Sequence, residues 1–190
     1  GYKRKSIQNY FKNESKNGVE IVYSFEKELL GTGGALKLAE PLLEKEFIVI
    51  NGDTFLLLDY KAFIANYQKN PETKAAIAYY QNLETSSKIE NNNLLVSKNN
   101  FIKHYEKNPG KNKQLNAVDA GVYLLKKEII KNIKPNEKIA LEPLLMLYMS
   151  KELVIGFKTD NPPLDIGTPE RLKIFQEVII NDYFANSFQN

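Results

Sequence analysis

Short apolar segments that suit strands alternate with helix-like segments along most of this chain. Residues 47–50 are four apolar residues without a polar interruption, the pattern of a strand covered on both faces. A helical pattern precedes them at 33–43, and another runs from Asp59, a helix-capping residue type, to about Gln68. This alternation predicts an α/β fold with helices packed on a mixed, mostly parallel sheet.

The remaining segments continue the alternation. Predicted strands cover 19–25, 74–80, 117–125 and 153–157, a hairpin covers 94–96 and 101–105, and predicted helices cover 6–11, 126–132, 141–150 and the residues after Thr168. Residues 81–93 are polar and predict a loop. Since no repeat or linker-like composition interrupts the pattern, we expect residues 1–190 to form a single domain.

Composition excludes several classes of function. The chain is 43% hydrophobic and 26% charged, which is typical of globular proteins, and its apolar runs are too short to span a bilayer. It has no cysteine and one histidine, which argues against disulfides, Cys-based or His-rich metal sites and a catalytic triad. The net charge of +3 forms no basic stripe. We therefore expect no nucleic-acid or membrane partner, and a cytoplasmic location.

A glycine-rich segment joins the predicted strand at 19–25 to the predicted helix at 33–43. Gly31, Gly33 and Gly34 surround Thr32 there, and glycines let a backbone approach a ligand closely. The helix N-terminus behind them favours anions or the polar edge of a base. A tight turn needs the same residues, so from the glycines alone both interpretations stay open.

Two aspartates lie where an α/β sheet binds ligands, beyond the carboxyl ends of strands. Asp53 follows residues 47–50 directly, with Gly52 beside it, and Asp165 precedes the last predicted helix. Carboxylates from separate segments are the ligands that Mg²⁺ uses when it bridges phosphate oxygens. Each aspartate has a plainer alternative, which is to stabilise a turn.

Lys107 follows the second strand of the predicted hairpin. An ammonium group at the tip of a strand can neutralise a phosphate. An ordinary solvated surface charge is the alternative.

These segments resemble motifs of the sugar-1-phosphate nucleotidyltransferases, and most closely those of the bacterial mannose-1-phosphate and heptose-1-phosphate guanylyltransferases. Six motifs occur in the family's order, at 30–35, 50–54, 106–109, 120–123, 141–142 and 165–169. The resemblance covers essentially the whole chain. It implies a Rossmann-like, GT-A-like fold and transfer of a nucleotidyl group from a nucleoside triphosphate, which is GTP for the guanylyltransferases, to a sugar 1-phosphate.

The resemblance also implies roles for individual residues. The expected cofactor is Mg²⁺. Residue by residue, it implies nucleotide binding by Gly31, Thr32, Gly33, Gly34, Asn51 and Gly52, catalysis by Asp53, Lys107 and Asp165, and sugar binding by Asp119, Gly121 and Glu142. Asp53 and Asp165 would ligate the metal, and Lys107 would contact the phosphate of the sugar phosphate. Relatives often carry an uncharged residue at the position of Asp119, so the identity of the sugar stays undecided. A uridine or thymidine nucleotide in place of GTP also stays an alternative.

The family pattern begins with a strand and a loop of the type Gly-Gly-x-Gly-Thr-Arg-Leu, and the printed sequence contains neither. Relative to that pattern, one strand–helix unit on the order of 40–50 residues is missing. There are three explanations: truncation, an unassigned front segment, and repair by dimerisation or strand exchange into a homo-oligomer. We favour truncation. We expect little or no transferase activity from the 190-residue chain alone. A catalytically inactive module that binds sugar phosphates or nucleotide sugars is the alternative function.

Overall fold

The computed structural model describes residues 3–11, 18–81, 92–107, 109–110 and 114–178. The helices are α1 (Arg4–Phe11), α2 (Gly31–Ala39), α3 (Tyr60–Gln68), α4 (Glu142–Met149) and α5 (Pro169–Val178), with short 3₁₀ helices at Glu40–Leu42 and Lys127–Ile130. The strands are β1 (Glu46–Ile50), β2 (Thr54–Phe55), β3 (Ala75–Tyr80), β4 (Leu94–Val96), β5 (Ile102–Tyr105), β6 (Val118–Lys126), β7 (Val154–Thr159) and β8 (Leu164–Asp165).

The chain divides into two compact units. The first consists of Gly1–Phe47 and Lys126–Leu145, and the second of Ile48–Leu125 and Met146–Asn190. That residues 1–190 act as one domain stays a prediction.

The four-stranded sheet has the strand order β1-β6-β3-β7. Within the second unit, β3 runs antiparallel to β6 and parallel to β7. The sheet is therefore mixed and flanked by helices, which confirms the predicted α/β fold class. The predicted hairpin is also present, as the antiparallel pair of β4 and β5.

Helix α3 supplies much of the core of the second unit. The Asp59 side chain caps it, because Oδ1 accepts a hydrogen bond of 2.9 Å from the Ala62 amide, as the sequence predicted. Phe63 and Tyr67 on this helix are buried against the sheet. They belong to a cluster that also contains Leu56, Leu58, Ala76, Ala78, Ala120, Val122, Leu124 and Ile155. This core supports the strands whose ends carry the candidate site.

Two strand predictions need correction. Residues 19–25 form no strand, because none of them joins a ladder among the described residues, and Val19 and Val22 are 60% and 58% exposed. Strand β1 exists but is not covered on both faces, since Ile48 and Ile50 are 36% and 53% exposed. Strand β1 is the outermost strand in the order β1-β6-β3-β7 of the described sheet. An uninterrupted apolar run indicates a strand without showing what covers it.

Two further differences concern the candidate site. Helix α2 begins at Gly31, so the glycine-rich segment forms its first turn and not a loop before it. The short ladder of β2 with β8 has no counterpart among the predicted strands, because two-residue strands carry no periodic pattern. Residues 82–91 of the predicted 81–93 loop lie outside the described residues.

Candidate active site

Asp53 and Asp165 lie on neighbouring backbone segments of the second unit. In the ladder of β2 with β8, Thr54 pairs with Asp165, and the Ile166 amide donates a hydrogen bond of 2.8 Å to the Asp53 carbonyl. Residues more than a hundred positions apart in the sequence are thus joined through the backbone. The fold therefore brings together the two backbone segments whose aspartates the sequence singled out.

The two carboxylates differ in their surroundings. Asp53 is exposed, and its Oδ1 accepts a weak hydrogen bond of 3.4 Å from the Thr54 hydroxyl. Asp165 is half-buried, with Oδ1 accepting from the Gly167 amide and Oδ2 in an ion pair with Arg171. An ionised carboxylate has about four lone-pair directions, so each retains acceptor capacity for a cation.

This pair of aspartates fits a hard divalent cation. The described residues contain no group of three or more His, Cys, Asp or Glu side chains able to hold a metal by themselves. Mg²⁺ is commonly bound through one or two carboxylates together with phosphates of the substrate and water. Two aspartates on adjacent segments match that donor set.

The segment that carries Asp53 rests on β6. The Asn51 amide donates a hydrogen bond of 2.9 Å to the Gly121 carbonyl, and the Thr54 amide donates one of 3.2 Å to the Asn51 carbonyl. Gly121 is buried, with a positive φ of 72° that suits glycine. Asn51, Gly52, Asp53 and Gly121 are therefore together in one place.

Lys107 follows the end of β5 and is exposed. The residue before it, Glu106, donates its amide hydrogen bond of 2.8 Å to the carbonyl of Asn93. The Asn93 side chain accepts one of the same length from the Asp119 amide. The backbone leading to Lys107 is thereby connected to β6.

The glycine-rich segment belongs to the first unit. Gly33 and Gly34 are buried, and both amides donate to the Ile139 carbonyl, at 3.0 and 3.1 Å. A Cβ atom added at Gly31, whose φ is +74°, would lie 2.7 Å from that same oxygen. The glycines are required for close packing against residues 137–140, and Gly31 and Thr32 are exposed.

Glu142 lies beside this segment. The Leu141 amide donates a hydrogen bond of 2.8 Å to the Thr32 hydroxyl, which holds the start of α4 next to the first turn of α2. Glu142 is the first residue of α4 and is half-buried. Two residues with different predicted roles, Thr32 and Glu142, are therefore neighbours in the first unit.

Sequence reasoning missed three residues that contact the candidate site. Arg171 pairs with Asp165, Asn93 joins Glu106 to Asp119, and the Tyr123 hydroxyl donates to Asp119. The position of Arg171 in the helix that follows Asp165 was a usable signal, because a residue six positions on in a turn–helix segment can reach back. Asn93 carried none, since its role depends on long-range pairing.

No helix within the described residues has both the length and the apolar character needed to cross a membrane.

Comparison with known proteins gives one consistent result. The nucleotidyl transferase family profile matches residues 1–177. A D-glycero-α-D-manno-heptose 1-phosphate guanylyltransferase of Campylobacter jejuni is 32% identical over 169 residues, which cover 89% of this chain and 72% of that enzyme. A guanylyltransferase of the same description from Aneurinibacillus thermoaerophilus is 30% identical over 175 residues, covering 90% of this chain and 71% of its own.

The fold of this chain is also similar to that of a solved structure. HddC from Yersinia pseudotuberculosis, crystallised with GMP-PN, superposes with a TM-score of 0.72 at 26% identity. The superposition covers 93% of this chain and 74% of the HddC chain.

Proposed function

Because this chain belongs to the nucleotidyl transferase family, we propose that it transfers a guanylyl group from GTP to a mannose- or heptose-type sugar 1-phosphate. Members of the family are enzymes that couple a nucleotide to a sugar 1-phosphate, and two relatives of this chain are heptose 1-phosphate guanylyltransferases. The observation that carries the proposal is the pairing of β2 with β8, which joins the segments of Asp53 and Asp165.

The proposed reaction is an in-line substitution at phosphorus. A phosphate oxygen of the sugar 1-phosphate bonds to the α-phosphorus of GTP, and the bond to the bridging oxygen of the β-phosphate breaks as pyrophosphate leaves. Such a transfer needs positioning and charge neutralisation and no covalent protein intermediate. A chain without cysteine and with one histidine is suited to that chemistry.

Each substrate has candidate contacts among the predicted residues. Lys107 would neutralise the phosphate of the sugar, and Glu142 would accept hydrogen bonds from sugar hydroxyls. Asp119 and the backbone at Gly121 are the other predicted sugar contacts. The nucleotide would be bound by Gly31, Thr32, Gly33, Gly34, Asn51 and Gly52, of which Gly31, Thr32 and Gly52 are exposed.

Nucleotidyltransferases generally use a divalent metal, and we propose Mg²⁺ held by Asp53 and Asp165. When bound, the cation neutralises charge on the triphosphate oxygens. The hydrogen bonds of the Gly167 amide and Arg171 to Asp165 fix the direction of that carboxylate. Asp53 is exposed, so a ligand can reach it from the solvent.

The assay that tests the proposal uses the protein as its gene encodes it. Pyrophosphate release and nucleotide-sugar formation are measured with GTP, Mg²⁺ and mannose or heptose 1-phosphates. We expect Asp53→Asn to lower kcat about 100-fold or more, as for loss of one group that stabilises transition-state charge. Asp160→Asn, an exposed carboxylate of the same unit, is the matched control and should leave kcat unchanged.

Two outcomes would overturn this proposal. Full turnover by Asp53→Asn would show that the reaction does not need the Asp53 carboxylate. Binding of GTP and sugar phosphate without pyrophosphate release would instead favour an inactive binding module.

Lys107 gives a separate prediction. Lys107→Ala should raise KM for the sugar 1-phosphate by about tenfold to a hundredfold, because a hydrogen bond to a charged group is lost. Lys98→Ala, an exposed lysine in the turn between β4 and β5, should leave KM unchanged. Equal values of KM in the two variants would show that Lys107 is only a solvated surface charge.

A further inference from the structure

Strand β6 bulges in the middle of the sheet. In its pairing with β3, Ile77 lies opposite Tyr123 and Tyr79 lies opposite Asp119. One residue of β3 therefore faces three residues of β6, with Gly121 at their centre and at a φ of +72°. Bulges bend a strand and re-aim the groups they carry, and are common beside active sites.

The Asp119 carboxylate caps this bulge. Its Oδ1 accepts a hydrogen bond of 2.9 Å from the Gly121 amide, and its Oδ2 accepts one of 2.6 Å from the Tyr123 hydroxyl. A bulge takes an amide out of the regular ladder, and a buried amide needs another acceptor. Asp119 supplies that acceptor from two residues away, and Gly121 itself is buried.

The bulge in turn supports the Asp53 segment. The Gly121 carbonyl accepts the Asn51 amide at 2.9 Å. A Cβ atom added at Gly121 would lie 3.1 Å from Asn51 Nδ2 and 3.2 Å from Thr54 Oγ1. The residues on both sides of Gly52 and Asp53 therefore pack directly on the bulge, and the position of Asp53 depends on its shape.

The same residue is connected to the Lys107 segment through Asn93. The Asn93 side chain accepts the Asp119 amide, and the Asn93 carbonyl accepts the Glu106 amide, both at 2.8 Å. Asp119 thus lies at the centre of a hydrogen-bonded line. That line runs from the segment before Lys107 to the turn of Asp53 and, through the Ile166 amide, to β8.

We infer that Asp119 is a positioning residue, whose carboxylate holds the bulge of β6 and through it the turn that carries Asp53. Both of its oxygens accept hydrogen bonds from groups of this chain, so its negative charge is directed into the protein. The consequence for catalysis rests on the proposed function, whereas the consequence for the position of the turn does not.

Site-resolved amide exchange tests the structural half without any activity. The reporters are the amides of Asn51 and Ile166. The internal reference is the Phe63 amide of α3, which donates a hydrogen bond to the carbonyl of Asp59. In Asp119→Ala the buried Gly121 amide loses its acceptor, which destabilises the bulge. We therefore expect the Asn51 and Ile166 amides to exchange faster by about tenfold to a hundredfold. The Phe63 amide should keep its rate, which also shows that the variant is folded.

Two milder variants keep the test decisive if Asp119→Ala unfolds. Asp119→Asn retains an acceptor for the Gly121 amide and a polar partner for Tyr123, so exchange should stay near the wild-type rate. Tyr123→Phe removes one donor only and should give an intermediate rate at Asn51. Unchanged exchange at Asn51 and Ile166 in a folded Asp119→Ala would overturn the inference, and where Asp119→Ala does not fold, unchanged exchange at Asn51 in Tyr123→Phe would overturn it.

Kinetics separate positioning from direct sugar binding. A positioning role predicts that Asp119→Ala lowers kcat on the order of 100-fold, the effect of misplacing a reacting group by about 1 Å, while KM for the sugar phosphate changes little. It also predicts that Asp119→Asn recovers most of kcat. A raised KM in both variants, with normal exchange at Asn51, would make Asp119 a sugar ligand instead. If wild-type protein turns over no substrate, the proposed function fails and the exchange rates still decide the role of Asp119.

Discussion

At the scale of single residues, Arg171 has the most direct influence on the candidate metal ligands. Its guanidinium forms an ion pair with Asp165, and both side chains are partly exposed, at 45% and 30%. A positive charge at this position orients the carboxylate and also repels a cation that approaches it. Solvent screens an exposed pair, so either effect is small.

We expect repulsion to outweigh orientation when no nucleotide is bound. Arg171→Ala should then bind Mn²⁺, used as a spectroscopic probe, about two- to fivefold more tightly, because a unit charge near the cation in high dielectric contributes about 1 kcal/mol. Titration followed by electron paramagnetic resonance measures the affinity. Lys173→Ala, an exposed cation on the same helix, is the control. Weaker binding by Arg171→Ala would show that orientation of Asp165 matters more.

How far the sequence predicts individual residues depends on the distance of their partners. The Asp59 cap was predicted correctly, because a helix cap is a contact between residues three positions apart. Asp53 and Asp165 could be selected by residue type, but their adjacency depends on strand pairing across the sequence. Asn93 could not be selected at all, since an asparagine in a polar stretch has many ordinary roles.

At the scale of elements, the contact between β3 and β7 is tighter than either strand's sequence indicates. A Cβ atom added at Gly156 would lie 2.6 Å from Cε1 of Tyr79 and 2.9 Å from Cδ1 of Ile102. Burial raises the pKa of the Tyr79 hydroxyl, which donates a hydrogen bond to Asn100 Oδ1. The ring therefore has little freedom to move away from residue 156.

Gly156→Ala should accordingly destabilise the protein by about 1–3 kcal/mol, the usual cost of overpacking a core. Urea unfolding measures the loss as a lower midpoint at constant slope. Adding Ile102→Val removes a methyl group at the point of contact, so the double variant should recover part of the stability. A single variant as stable as the wild type would mean that Tyr79 adopts another rotamer.

The elements also show why local patterns give only part of the fold. The apolar run at 47–50 correctly predicted a strand, yet Ile48 and Ile50 are exposed at the end of the strand order. Residues 19–25 have the same strand-like composition without a ladder among the described residues. Composition reports what a segment can do, whereas its neighbours in the sheet decide cover and pairing.

At the scale of the whole molecule, ligand binding should appear as added stability. A ligand that binds only the folded state stabilises it by about 2.7 kcal/mol at a hundred times Kd. For a chain of this size that corresponds to a rise in Tm of about 5–10 °C. We expect GTP with Mg²⁺ to produce such a rise, and UTP, dTTP and CTP to produce smaller ones at equal concentration.

The dependence of that rise on the two aspartates distinguishes a metal-assisted nucleotide site from nonspecific binding. Asp53 and Asp165 lie on segments joined by β2 and β8, so each substitution to Asn should remove the Mg²⁺-dependent part of the shift and leave any Mg²⁺-independent part. Asp160→Asn should keep the whole shift, because an exposed carboxylate outside the site alters only the net charge. Equal shifts in Tm for all four nucleotides would contradict the predicted preference for guanine. An undiminished shift in both single variants, Asp53→Asn and Asp165→Asn, would contradict the metal site, because a cation held by two carboxylates should lose affinity when either one becomes neutral.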